Sequence, residues 1–499
     1  MTAVAAAPRV APRSGHSIVG PGAAASAPLG WIRERGMGAT VLVSALSAGF
    51  GVVLLSTTGY LSALLRADPY VGDSEMLAFI LGFLTVLLVG VAVYVAAIVT
   101  ANTFATVVSG RTRRIALMRL IGASARSQRR EVARQGLVVG AVGAFLGLIA
   151  GTVLSAVGVG VASSLLGVGD LGYAVVQPVL LVPAVVVTLT TWAAAWAGSR
   201  RVLTVTPLQA LSGTVEAPHA EVARRTGRTV AAAVLLLAGG ALLAGGVVLG
   251  LITPLGVIVA FAGGILSFTG LAVGATFLMP PVLRLTGRLF GQSVPARLAA
   301  ENALRYPERS SRMAIGVVMG VTLVTMFAVA MESVKAVLTA TAGGELDAEM
   351  ATLIDSFSAV MMVLVGFSAV IAAVGLVNLL TIGVVQRRRE LGLLRALGLS
   401  GGQVRRMVLI EAAHIAISAL VAGLVLGTVY GWAGAQSLLG TVPASADSGP
   451  VSTLVAPAVP LWPIVAVVVG TAVLTLVAAV VPTRLATRIA PVEAIADVG

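Results

Sequence analysis

Reactive side chains are scarce in this chain. There is no cysteine, which excludes thiol nucleophiles, thiolate metal ligands and disulfides. The three histidines, His16, His219 and His414, are far apart in sequence, which argues against a histidine-built metal site. The single lysine, Lys335, lies in "MESVKAV", without the GxxxxGK[ST] frame that cradles phosphates. Any ATP used with this chain, and its magnesium, must therefore be bound by another polypeptide. What remains is recognition by guanidinium groups. The stretch from Gln386 to Met407, "QRRRELGLLRALGLSGGQVRRM", carries Arg387, Arg388, Arg389, Arg395, Arg405 and Arg406. No aromatic side chains are interleaved with this basic run, which counts against nucleic acid as the partner.

The elements around the stretch are apolar. The chain has 499 residues, 58% of them hydrophobic and only 11% charged. A soluble protein of that composition could not cover its surface with polar groups. Apolar runs of about 20 residues, the length that spans a bilayer as a helix, recur along the chain. The expected fold is an all-α polytopic membrane protein with ten spans, near 38–63, 76–107, 134–162, 178–199, 229–251, 254–283, 314–334, 355–384, 408–436 and 461–483. Loop charge tests that count. Alternate loops and the N-terminal region hold 31 of the 33 basic residues, whereas the other loops hold only Arg66 and Lys335. Those poor loops carry acidic residues such as Asp68, Asp170, Glu345 and Asp447. The net charge of +13 then reads as arginine-rich cytoplasmic loops, with both termini on the cytoplasmic side. Residues 1–30, rich in Ala, Pro and Ser with no apolar core, are expected to form a disordered cytoplasmic tail.

The basic stretch occurs twice. "GRTRRIALMRLIGASARSQRREV" (Gly110–Val132) matches it at a shift of 276 residues. Arg119 then meets Arg395, Gly122 meets Gly398, and Ser124 meets Ser400, while Ile115, Leu117, Met118 and Ile121 fall on Leu391, Leu393, Leu394 and Leu397. Spacings of three and four predict an apolar stripe on a short helix, and the Gly predicts the turn that ends it. Each basic segment is followed by two spans, and each unit has four. The expected plan is 4 + 2 + 4 with two parallel repeats related by an axis along the membrane normal. The units are a first four-helix unit at 31–213, a linker and extra hairpin at 214–296, and a second four-helix unit at 297–499. The glycines of "GLVLGTVYG" (Gly423–Gly431) suit close helix packing. Glu411 and His414, at i and i+3 where the ninth span begins, are candidates either for a local structural role or for transmitting motion. Glu332 and Lys335 suit a pair at an outer helix end.

The second copy, "RRRELGLLRALGLSGGQVRRMVLIEA", resembles the signature of the FtsX-like (MacB-type) ABC transporter permease family at Arg387, Glu390, Leu391, Gly392, Leu394, Arg395, Ala396, Leu397, Gly398, Ser400 and Glu411. "RLAAENALRYPERSSRMAIGVVMG" (Arg297–Gly320) resembles that family's amphipathic leader. The first copy is looser, with Arg114 where Glu390 stands and Ala116 where Gly392 stands. The resemblance implies a multi-pass protein of a bacterial plasma membrane. In each unit a coupling helix would dock on a separate ABC-type ATP-binding subunit, giving two such subunits per chain. The implied docking residues are Arg114, Leu117, Arg119, Gly122 and Ser124 in one copy, and Glu390, Leu391, Leu394, Arg395, Leu397, Gly398 and Ser400 in the other. The chain itself would hold no cofactor and carry out no catalysis. Well-known members have a large extracytoplasmic domain between the first two spans of a unit, whereas here those loops are short, near 64–75 and 333–354. Three functions fit: export or extraction of an amphipathic compound, mechanical control of an extracytoplasmic enzyme or sensor, and ion-coupled secondary transport. Membrane lipid and an extracytoplasmic protein are the other expected partners.

Overall fold

The computed structural model describes residues 37–67, 124–166, 173–199, 226–290, 293–305, 307–343, 388–442 and 454–487, together with isolated positions among 82–122 and at 358. The regular elements among them are all helical: α1 (Met37–Arg66), α2 (Ala125–Leu166), α3 (Leu181–Gly198), α4 (Thr226–Gly250) and α5 (Gly256–Gly287), then α6 (Val294–Arg305), α7 (Pro307–Thr341), α8 (Arg388–Ala396), α9 (Gly401–Leu439) and α10 (Leu461–Thr487). Seven of these helices, α1 to α5, α7 and α9, are long and apolar enough to cross a membrane, and α10 contains a shorter apolar helix at Leu461–Val473. The spans expected near 76–107 and 355–384 lie outside the described residues except at isolated positions.

Two helix pairs are packed backbone to backbone, and glycine makes this feasible because it has no Cβ to hold the partner away. A Cβ added at Gly151 would lie 2.9 Å from Gly49 O, and one at Gly143 would lie 2.5 Å from Ser44 Cβ, so α1 and α2 touch along this seam. In the second half, a Cβ at Gly423 would lie 2.7 Å from Val321 Cβ, and one at Gly427 would lie 2.5 Å from Thr325 Cβ. The registers correspond: Gly147 faces Ala45 and Gly151 faces Gly49, and 276 residues later Gly423 faces Val321 and Gly427 faces Thr325. The shift read from the basic segments is thus also the shift of the helix contacts beside them.

The α4–α5 hairpin, which lies between these pairs in sequence, packs against the second pair. Gly239, Gly246 and Gly263 bring its two helices together, whereas most of α4's remaining surface is exposed. One face of α5, from Leu271 through Ala275 and Met279 to Leu283, shares the main apolar core with Met313–Val321 of α7 and with Ala412, Ile415 and Ala419 of α9. A row of rings extends the contact. Tyr94 meets Phe268 edge-on at 6.2 Å, and Phe268 meets Tyr430 at 5.8 Å. Hydroxyls fix the row, since Tyr94 Oη lies 2.8 Å from Thr269 Oγ1 and Tyr430 Oη lies 2.8 Å from Ser267 Oγ.

The ends away from the basic segments are also tied. Tyr173 Oη donates to Ser56 O at 2.8 Å, and burial pushes its phenol pKa up. In the second half the chain at 454–460 is held three ways. Val455 N donates to Gln436 Oε1 at 2.6 Å, Trp432 Nε1 donates to Val455 O at 2.8 Å, and Ala458 N donates to Ser333 Oγ at 3.2 Å.

Candidate functional site

The second basic segment folds as a short helix, a tight turn and the start of a long helix. α8 is only nine residues long, too short to persist alone in water. Its charges suit its ends, with Glu390 in the first turn and Arg395 in the last. Its end is closed by paired bonds, Leu399 N to Leu394 O at 3.1 Å and Gly398 N to Arg395 O at 3.1 Å. That is the Schellman arrangement, and it needs a residue at positive φ, here Gly398 at +104°. Ser400 then caps α9. Its Oγ accepts from Gln403 N at 3.2 Å while Gln403 Oε1 accepts from Ser400 N at 2.9 Å, a reciprocal capping box.

The apolar positions of α8 occupy two faces rather than one stripe. Leu391 is buried and Leu394 partly so, in a cluster with Leu298 and Ala299 of α6 and Val404, Met407 and Val408 of α9. Leu393 and Leu397 point away, 53% and 75% exposed. The four apolar residues span more than a third of the helix circumference. One pair anchors the helix, and the other is left at the surface beside the half-buried Arg395.

The first copy repeats the turn. Gly122 has φ +102°, and Ser124 Oγ accepts from Ser127 N at 3.1 Å. Ser127 stands where Gln403 stands, so the described cap runs one way. Arg114, Leu117 and Arg119 lie outside the described residues, and Met118 is exposed. The arginines after the turn differ between the copies. Arg405 is exposed, whereas the guanidinium of Arg129 lies over the Trp196 ring, 4.2 Å from its centroid.

Behind the second turn lies a polar network. Glu411 is 6% exposed and accepts from Asn302 Nδ2 of α6 at 2.8 Å. The fully buried His414 places Nε2 2.7 Å from Leu283 O of α5. A carbonyl only accepts, so this contact puts a proton on Nε2. Ser418 donates to His414 O at 2.7 Å and also meets Thr286 Oγ1 of α5. The two residues singled out from the sequence therefore join α9 to both α5 and α6. Their partners, Asn302 and Leu283, had no sequence signal, since neither is in regular spacing with Glu411 or His414. Among the described residues no group of three or more acidic, His or Cys residues could hold a metal ion.

Comparison with known proteins matches two regions of the chain, each holding one basic segment. The model of the FtsX-like permease C-terminal family matches residues 86–207 and 362–491. The ABC transporter permease YtrF of Bacillus subtilis (strain 168) is 39% identical over 66 residues, 13% of this chain and 15% of that protein. The macrolide export ATP-binding/permease protein MacB of Rhodopirellula baltica is 28% identical over 152 residues, 29% of this chain and 19% of that protein. The matched stretches thus span less than a fifth of the length of these curated relatives.

Proposed function

The chain belongs to the FtsX-like permease family, and on that premise we propose that it couples ATP hydrolysis by separate subunits to movement of its membrane helices. In this reading it is the permease subunit of an ABC transporter in a bacterial plasma membrane, with the basic segments and both termini on the cytoplasmic side. ATP and magnesium belong to the partner, and two ATP-binding subunits serve the two basic segments. The observation that carries the reading is the division of labour on α8. Leu391 and Leu394 hold it to α6 and α9, while Leu393 and Leu397, the residue just past its end, remain exposed. A rigidly seated helix with an exposed apolar pair beside an arginine suits insertion into a groove on a cytoplasmic partner. The cargo in this reading is amphipathic or hydrophobic, because the short loops at 64–75 and 333–354 leave no large outer chamber.

The test is co-purification with an ABC-type ATP-binding subunit and ATPase activity in lipid, with and without this chain. Two ATP-binding subunits per chain, with binding lost on Arg395→Glu and membrane insertion unchanged, is the expected result. Normal ATPase stimulation by the Arg395→Glu variant would refute the docking role.

A second reading has its own observation. α9 runs without interruption from the docking turn at Ser400 to Gln436, which holds the chain at Val455 on the far side. Such a helix suits a subunit that transmits motion to an extracytoplasmic enzyme or sensor and moves no cargo. Nucleotide-dependent change at Val455 without uptake or efflux of amphipathic dyes would favour it. Ion-coupled transport predicts activity with no ATP-binding subunit present, and the same reconstitution tests for that.

A further inference from the structure

We propose that the ends of α2 and α3 next to the first basic segment form a binding site for the phosphate headgroup of an anionic phospholipid, centred on Arg129. The proposal rests on the chain being a membrane protein and does not depend on any ATP-binding partner.

Arg129 has an incomplete environment. Its guanidinium lies 4.2 Å from the Trp196 ring centroid, and its Nε and Nη2 are shut off from solvent with no hydrogen-bond partner. Contact with a ring face offsets only part of what a guanidinium loses on leaving water. No carboxylate among the described residues supplies the rest. The neighbouring Glu131 is turned to Arg134, 3.8 Å away, and to Gln135, 3.1 Å away. Arg126 and Arg130, one turn before Arg129 and directly after it, are exposed. Three guanidinium groups therefore share the first turns of α2, and Nη1 is the Arg129 nitrogen that is not shut off in this way and so the one left to meet a ligand.

Their depth indicates what completes the site. Arg134 is the last charged residue before the apolar run of α2. Arg129 lies five residues before it, roughly 7 Å further out at 1.5 Å per residue. That places it in the headgroup layer rather than the hydrocarbon. Trp196 and Trp192, 41% and 43% exposed near the end of α3, are the residue type that settles at this interface. A lipid phosphate is the anion present in bulk at that level, and guanidinium forks match its oxygens. The second copy lacks the arrangement, because Gly402 replaces Arg126 and Arg405 is exposed. The site is thus a property of one unit rather than of the repeat.

The experiment is native mass spectrometry of the purified full chain, titrated separately with phosphatidylglycerol, phosphatidylcholine and inorganic phosphate. The expected result is a phosphatidylglycerol adduct that survives activation sufficient to strip phosphatidylcholine. Arg129→Gln should weaken it by about tenfold or more, as loss of a charge-assisted bond predicts. Arg126→Gln, a change at an exposed position, should weaken it less, and Arg405→Gln should leave it unchanged. If Arg129→Gln does not yield monodisperse protein, the Arg126→Gln and Arg405→Gln pair decides the question. Equal retention of phosphatidylcholine, or equal effects of those two substitutions, would overturn the proposal. Displacement of phosphatidylglycerol by millimolar inorganic phosphate would also overturn it, by making a free anion the ligand.

Discussion

Replacing Gly398 by alanine would separate backbone geometry from contact. Gly398 has φ +104°, and a Cβ added there would meet nothing within 4 Å. No steric clash follows, so the whole penalty lies in the backbone, about 1–3 kcal/mol for an L-residue forced into that region. The penalty falls on the two bonds that close α8, Leu399 N to Leu394 O and Gly398 N to Arg395 O. Loss of that much stability lowers the ratio of closed to open turn by about 5- to 150-fold. Amide hydrogen exchange at Leu397–Leu399 reads the local effect, and stimulation of the partner ATPase reads the consequence. Asparagine tolerates positive φ better than alanine, so Gly398→Asn should fall between wild type and Gly398→Ala. Gly402→Ala, where glycine is not at positive φ, should show neither effect. Wild-type exchange in Gly398→Ala, or equal exchange in the Ala and Asn variants, would refute the reasoning. Gly122→Ala, at φ +102°, should carry a similar local penalty but a smaller loss of coupling, because the first copy departs further from the family pattern.

Two other predictions follow from packing and hydrogen bonding. Gly427→Val places its Cβ 2.5 Å from Thr325 Cβ and 2.8 Å from Thr322 O, so it should lower the thermal midpoint through overpacking of about 1–3 kcal/mol or more. Gly434→Ala, on the same helix with open space around it, should be neutral or stabilising by up to about 1 kcal/mol. Asn302→Ala removes the 2.8 Å bond to Glu411 and should cost about 1.5–3 kcal/mol, read as thermal unfolding in detergent.

The sequence made the repeat legible because both of its signals are local. Glycine and serine at fixed offsets mark a helix end and the next cap, and Gly122–Ser124 and Gly398–Ser400 adopt that geometry in both copies. The glycines at 423, 427 and 431 signalled close packing, and α7 is what they pack against. The two faces of α8 were less legible. Leu391, Leu393, Leu394 and Leu397 look like one stripe by spacing, and only the presence of α6 and α9 on one side separates anchors from exposed residues. Partners distant in sequence left no trace at all. Asn302–Glu411 and Tyr94–Thr269 are 109 and 175 residues apart, and Arg129 gave no hint that it would turn onto Trp196 while Arg405 faced water.

The unbroken length of α9 has a mechanical meaning. Its 39 residues make a rod about 58 Å long at 1.5 Å per residue. Tilting such a rod by about 5° about one end carries the other end through about 5 Å, by the same helix dimensions. Its glycine seam clamps it to α7, so the two helices share any such swing as one stiff arm. Gln436 rides near the arm's tip and grips the main chain at Val455. A small tilt imposed at the Ser400 end therefore arrives at the Gln436 end as a displacement of several ångströms, with no need for the helix to bend or unwind.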